Sequence, residues 1–190
     1  DLNDANAAER LKNLHGVIVP GGFGFRGVDG KIACIKHVRE NGIPYLGICY
    51  GMQIAVVEFA RNVCGMTHAS STEIEPDCSH PVIDLLPEQK KIEGLGGNMR
   101  LGGYDVILTS GSMISQLCDG ADRIRLRFRH RYEVEPRYID ALERGGVVFS
   151  GRNPGHPIMQ VMELPRDRHP FFLATQAHPE LTSRPLRPDP

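Results

Sequence analysis

The sequence predicts an α/β fold: a mostly parallel central sheet with helices on both faces. Two observations lead there. Short apolar runs of strand length alternate with helical patterns in the first third of the chain, and strands separated by helices pair in parallel. The first two of these runs also end in glycine-bearing turns, at Pro20-Gly21-Gly22 and at Gly47-Ile48-Cys49-Tyr50-Gly51. In such sheets the reactive groups gather at the C-terminal strand ends. With 190 residues the chain is long enough for one domain with a sizeable core and too short for two ordinary ones, so a single domain over 1–190 is expected.

The elements follow in order. Residues 1–14 are a polar lead-in with a short helix expected over Ala5–Leu14. The chain opens mid-pattern without Met, as a segment of something longer would. His15–Pro20 is a buried strand, β-branched and closed by Pro. Gly21–Gly27 is a glycine-rich loop that can aim backbone N–H groups into a site, although a plain tight turn fits it equally. It matches neither the dinucleotide fingerprint nor a Walker A loop. Asp29–Glu40 reads as a helix stopped by Asn41-Gly42, Ile43–Ile48 as a strand, and the stretch from Cys49 to about Asn62 as a helix.

Farther on, Ser70–Asp77 reads as a solvated loop and Val82–Leu86 as a strand. Leu95–Gly103 is a second glycine-rich turn, leading into the strand Tyr104–Thr109; a short helix is expected at Ser112–Leu117. Arg123–Arg131 holds five arginines in nine residues, alternating with apolar positions. A half-exposed strand with charges on one face accounts for this better than a nucleic-acid patch, Arg131 excepted. Tyr138–Arg144 is helical, and Val147–Ser150, Ile158–Glu163 and Phe171–Thr175 are strands linked by Gly, Pro and charged turns.

Composition narrows the function classes. Lys and Arg number 22 against 23 Asp and Glu, which argues against a general nucleic-acid surface. No apolar run is long enough to span a bilayer. Five scattered cysteines without a CxxC pair suggest reduced thiols and a cytoplasmic home.

The chemistry centres on Cys49. Small-X-nucleophile-X-Gly is the spacing of a nucleophile elbow, where strand and helix pass so closely that only small residues fit two before and two after. The helix N-terminus would favour a thiolate. A buried structural cysteine in a βα turn fits the same stretch. A thiol nucleophile needs a base, and His178 lies at the end of the last strand with Glu180 two residues on, able to orient it in extended chain.

Gly-x-Cys-x-Gly-x-Gln followed downstream by His-Pro-Glu resembles the class I (triad) glutamine amidotransferases. Further matches resemble the amidotransferase domain of the CTP synthase family: Pro20-Gly21-Gly22-Phe23-Gly24-x-Arg26-Gly27, Ser71-Thr72-Glu73, Gly97-x-Met99-Arg100-Leu101-Gly102, Arg129-His130-Arg131-Tyr132-Glu133-Val134 and Thr182-Ser183-Arg184-Pro185. The resemblance covers nearly the whole chain and implies a flavodoxin-like fold. It implies that Cys49 attacks the side-chain amide of L-glutamine, that His178 is base and then acid, and that Glu180 orients it. It places the oxyanion donors at Tyr50 and the Gly22 region, and glutamine contacts on Gly22, Tyr50, Gly51, Met52, Gln53, Glu73 and Arg131. No metal or cofactor is implied in this domain. ATP, magnesium and GTP, like oligomer formation, are implied only for the full-length enzyme with its amino-terminal synthetase domain, which the resemblance does not find in these residues, nor a last helix expected after Pro190.

Two positions depart from the family's usual pattern: Tyr50, where Leu is common, and Ala177, where an aromatic is common. Neither removes a functional group. Two other readings remain open on the sequence. One is another cysteine hydrolase of the same fold, such as a γ-glutamyl hydrolase or protease-like relative. The other is a non-catalytic regulatory module. Glu73 and Arg131 suit a free amino acid and argue against the first; an intact Cys49, His178 and Glu180 argue against the second.

Overall fold

The computed structural model describes residues 1–85 and 99–190. A short helix α1 (Ala7–Leu11) precedes the strand β1 (Val17–Val19). Then come α2 (Val28–Glu40), β2 (Tyr45–Ile48) and α3 (Tyr50–Asn62), the alternation the sequence predicts. Every residue of α3 from Tyr50 to Ala60 is buried, Glu58 included. Its carboxylate accepts two charge-assisted hydrogen bonds from Arg39 Nε and one from Nη2 at 2.8–3.2 Å, which offsets the cost of burying the charge.

The main sheet has seven strands in the order β1-β2-β10-β9-β8-β5-β6. Its remaining members are β5 (Arg100–Leu108), β6 (Arg123–His130), β8 (Val148–Arg152), β9 (Met159–Glu163) and β10 (Phe172–Thr175). The pairs β1–β2 and β2–β10 are parallel, whereas β10–β9, β9–β8, β8–β5 and β5–β6 are antiparallel. The expected parallel sheet is therefore confined to one half, and the whole is mixed. The reason is visible in the connections: β8, β9 and β10 follow one another through turns, and strands joined without a crossover helix run antiparallel.

Alternate strand residues feed two cores. Tyr45, Phe172, Ala174, Met162 and Phe149 face α2, α3 and α5 (Ile139–Gly145). Leu46, Leu173, Val161, Val106, Leu108 and Phe128 face the opposite side, where α4 (Met113–Leu117) packs through Met113 and Ile114. Helices thus cover both faces. On β6 the arginines 123, 125, 127 and 129 point outward, while Phe128 and His130 are buried, as the alternation predicts.

A smaller sheet departs from expectation. β3 (Ala69–Ser71), β4 (His80–Asp84) and β7 (Glu133–Val134) pair in that order. Ser70 and Ser71 therefore lie in a fully buried strand, not a solvated loop; only the stretch after them is a turn. Leu86 and Leu95–Asn98, the end of one expected strand and the start of the second glycine-rich turn, lie outside the described residues.

Candidate active site

Because β1, β2 and β10 are neighbours and parallel, their C-terminal ends lie side by side. The glycine-rich loop leaves β1, Cys49 leaves β2, and Gln176-Ala177-His178 leaves β10. Three stretches far apart in sequence meet at one edge of the sheet.

Cys49 is a strained elbow, with φ 52 and ψ −102, in the left-handed region that a non-glycine residue rarely occupies. Its N–H donates to Thr175 O at 2.7 Å, and its C=O accepts from Gln53 N at 3.2 Å, opening α3. The flanking glycines are sterically required. A Cβ on Gly51 would lie 2.1 Å from Val19 O, and one on Gly47 would lie 2.9 Å from Ala174 Cβ.

His178 Nδ1 lies 2.6 Å from Glu180 Oε1. An ionised carboxylate only accepts hydrogen bonds, so Nδ1 is the donor, and in a neutral ring Nε2 then presents a lone pair. The expected pairing is present, by a different route: Pro179–Leu181 is a 3-10 turn, so the carboxylate reaches the ring through turn geometry and not extended alternation. His178 Nε2 is buried and has no hydrogen-bond partner among the described residues.

The sulfur of Cys49 makes other contacts. Sγ donates to Arg129 O at 3.9 Å and accepts from Gln176 Nε2 at 3.6 Å. Burial pushes the thiol up to about 11, against smaller lowering contributions from the Tyr50 N–H and the Gln176 amide. The helix N-terminus does not overcome desolvation, so the resting group is a thiol. Since the thiolate is the reactive form, alkylation of Cys49 by iodoacetamide should be slow at neutral pH and rise roughly tenfold per pH unit until the thiol titrates. Mapped alkylation that is already fast and flat at neutral pH would contradict this.

A cavity of about 640 Å³ opens here. It brings together Gly22, Cys49, Gln53, Glu73, Arg131 and His178 among the residues singled out from the sequence, with Phe23, Met99, Arg129, His130 and Tyr132 beside them. Glu180 and Tyr50 are not among the lining residues: Glu180 is exposed beside His178, and the Tyr50 side chain is buried. Gly51 and Met52 do not line it: Gly51 packs on Val19, and the Met52 side chain is in the core.

Glu73 and Arg131 supply opposite charges to the same cavity. Burial raises the Glu73 carboxyl, while the Gly24 N–H and the Arg131 guanidinium lower it. Arg131 differs from its neighbours because β6 ends at His130, so the strand alternation that sends the other arginines to solvent no longer governs it. Behind it, fully buried Glu133 pairs with His130 Nε2 and Arg100 Nε, both at 2.8 Å.

Gln176 is a site residue that the motif reading missed. Its amide donates to Cys49 Sγ, and its Oε1 accepts from Gln53 Nε2 at 3.4 Å. The signal was its place two residues before His178, on the same side of extended chain. Among the described residues, no group of three or more His, Cys, Asp or Glu side chains is arranged to hold a metal ion.

The family model of class-I glutamine amidotransferases matches residues 1–190. This chain belongs to that family. The amidotransferase is 53% identical to a CTP synthase of Archaeoglobus fulgidus over 97% of its own length and 34% of the relative's. It is 50% identical to a CTP synthase of Thermus thermophilus, spanning 35% of that protein. It thus covers about a third of the curated relatives it matches. Among solved structures, the glutaminase domain of Trypanosoma brucei CTPS with bound acivicin superimposes with a TM-score of 0.89 at 36% identity, covering 97% of this amidotransferase and 70% of that chain. A glutamine amidotransferase of Thermotoga maritima shares the fold at a TM-score of 0.53, 18% identity and coverage of 90% and 58%. Among the described residues, no helix of the amidotransferase is long and apolar enough to cross a membrane.

Proposed function

We propose that this amidotransferase hydrolyses L-glutamine and supplies ammonia for the amination of UTP to CTP by a synthetase domain of the same parent enzyme. One observation carries the reading. A cysteine on a strained elbow shares a cavity with a histidine whose Nδ1 is held by a carboxylate and whose Nε2 has no hydrogen-bond partner among the described residues.

In the proposed reaction His178 Nε2 takes the Cys49 proton as Sγ attacks the amide carbon. The N–H groups of Tyr50 and Gly22 hold the oxyanion. His178 returns the proton to the departing nitrogen, which leaves as ammonia, and a γ-glutamyl thioester remains. Water, deprotonated by His178, cleaves the thioester to glutamate and restores the thiol. Arg131 pairs with the α-carboxylate and Glu73 with the α-ammonium, a combination that selects the free amino acid over an amide within a peptide. ATP, magnesium, UTP and GTP belong to the synthetase side of this proposal, as does any oligomer.

The resting geometry supports low activity in isolation. The thiol is protonated, and no hydrogen bond yet joins Cys49 Sγ to His178 Nε2. The isolated chain should release glutamate slowly, form no CTP and ignore GTP. Adding a separately expressed synthetase domain with its nucleotides should raise glutamate release. Full turnover by the chain alone would remove the gating part of this proposal, and turnover of peptides in place of glutamine would remove the substrate.

A further inference from the structure

The Tyr50 side chain takes no part in the mechanism above, which uses only its N–H. Yet it is one of the largest fully buried side chains, 1% exposed, and its polar end is directed at the glycine-rich loop. The hydroxyl donates to Gly24 O. The ring packs under Gly22, where a Cβ would come within 3.4 Å of Tyr50 Cδ1, and Lys31 Nζ lies 5.7 Å from the ring centroid. The other main-chain polar group of Gly24 is also held: its N–H donates to Glu73 Oε1 at 3.1 Å. Gly24 has φ 71, a conformation glycine adopts without strain, so nothing intrinsic fixes the loop there.

The loop needs fixing because of what it touches. A Cβ on Gly21 would lie 2.9 Å from His178 Cε1 and 3.8 Å from Cys49 Cβ, and Gly22 lines the cavity. Any slide of Gly21–Gly24 moves the Gly22 N–H relative to the reacting carbon.

We propose that Tyr50 is a positioning residue: its hydroxyl and the Glu73 carboxylate clamp Gly24 from both sides and thereby hold the Gly22 N–H where the oxyanion forms. This rests on the glutaminase reading. A carboxylate offers about four acceptor sites, so Glu73 can hold Gly24 and an α-ammonium at once. Substrate recognition and oxyanion geometry then meet at one side chain. The clamp acts on the transition state more than on substrate binding, so its loss falls on kcat.

The test is Tyr50→Phe, which keeps the ring, the backbone N–H and the core packing. The expected result is a fall of about tenfold in kcat for glutamate release, since a small shift of an oxyanion donor has effects of that order or larger. KM should stay within about twofold. Hydrogen exchange of the Gly21–Gly27 segment should quicken, with the thermal midpoint unchanged; a merely structural role would move the midpoint and leave the kcat-to-KM split flat. The exchange is read without substrate, so the two readings fail separately. A wild-type chain that releases no glutamate defeats the glutaminase reading. An active wild type with the same kcat as Tyr50→Phe, whether or not loop exchange changes, overturns the clamp.

Discussion

Replacing Cys49 with alanine is expected to abolish glutamate release while leaving the fold intact. The chemistry has no other route: among the described residues, Cys49 is the one thiol lining the cavity. Alanine keeps the elbow backbone and removes only an atom whose contacts are long, 3.9 Å to Arg129 O and 3.6 Å to Gln176 Nε2. A β-carbon is retained at the strained position, so the backbone φ of 52 is no harder to hold. The other cysteines should tolerate serine or alanine without loss of the chemical step. Cys34 packs beside Ala7 and Leu11, and Cys64 donates to Ala141 O; neither lines the cavity. Glutamate release within a few-fold of wild type from the Cys49→Ala protein, with its thermal unfolding unchanged, would remove the nucleophile from this account.

Arg131→Ala is expected to raise the glutamine requirement strongly, by ~2–4 kcal/mol of lost binding, because it leaves a desolvated α-carboxylate unpaired. The comparison within the same arginine run makes the prediction specific. Arg125 is solvent-exposed, with its ion pair to Asp105 at 3.1 Å between side chains 68% and 40% exposed, a pairing worth little. Arg127 is likewise exposed. Alanine at either should leave KM nearly unchanged. Equal effects at all three positions, measured by steady-state kinetics, would mean that Arg131 reads no carboxylate.

The local parts of the fold were legible in the sequence, and the long-range strand order was not. The elbow is legible because its rule is local: Gly47 and Gly51 are small since Ala174 and Val19 O press on them. The βα alternation that sets β1, β2 and α3 is local as well. Pairing between distant strands is not: β8, β9 and β10 are joined by turns and run antiparallel, yet β5 and β6 are antiparallel with the short helix α4 between them. The buried strand Ala69–Ser71 was hidden by its serines, since short polar runs usually mark loops and only pairing with β4 makes this one a strand. Met52 and Gly51 carry the family's motif yet serve packing. The Cys49 thiol inverts an electrostatic expectation: a helix N-terminus argues for thiolate, but the elbow is buried, and desolvation is the larger effect. Arg131 was separable from its neighbours only through the resemblance. The structural reason, the end of β6 at His130, is a boundary that periodicity does not mark.

Stoichiometric labelling by a diazoketone analogue of glutamine, mapped by mass spectrometry, addresses most directly whether Cys49 is the nucleophile of a glutamine site. One label per chain is expected, on Cys49, with the rate slowed by L-glutamine and the label lost in Cys49→Ala. A label that settles on Cys34, Cys64, Cys78 or Cys118, or one on Cys49 that saturating glutamine fails to slow, would contradict it.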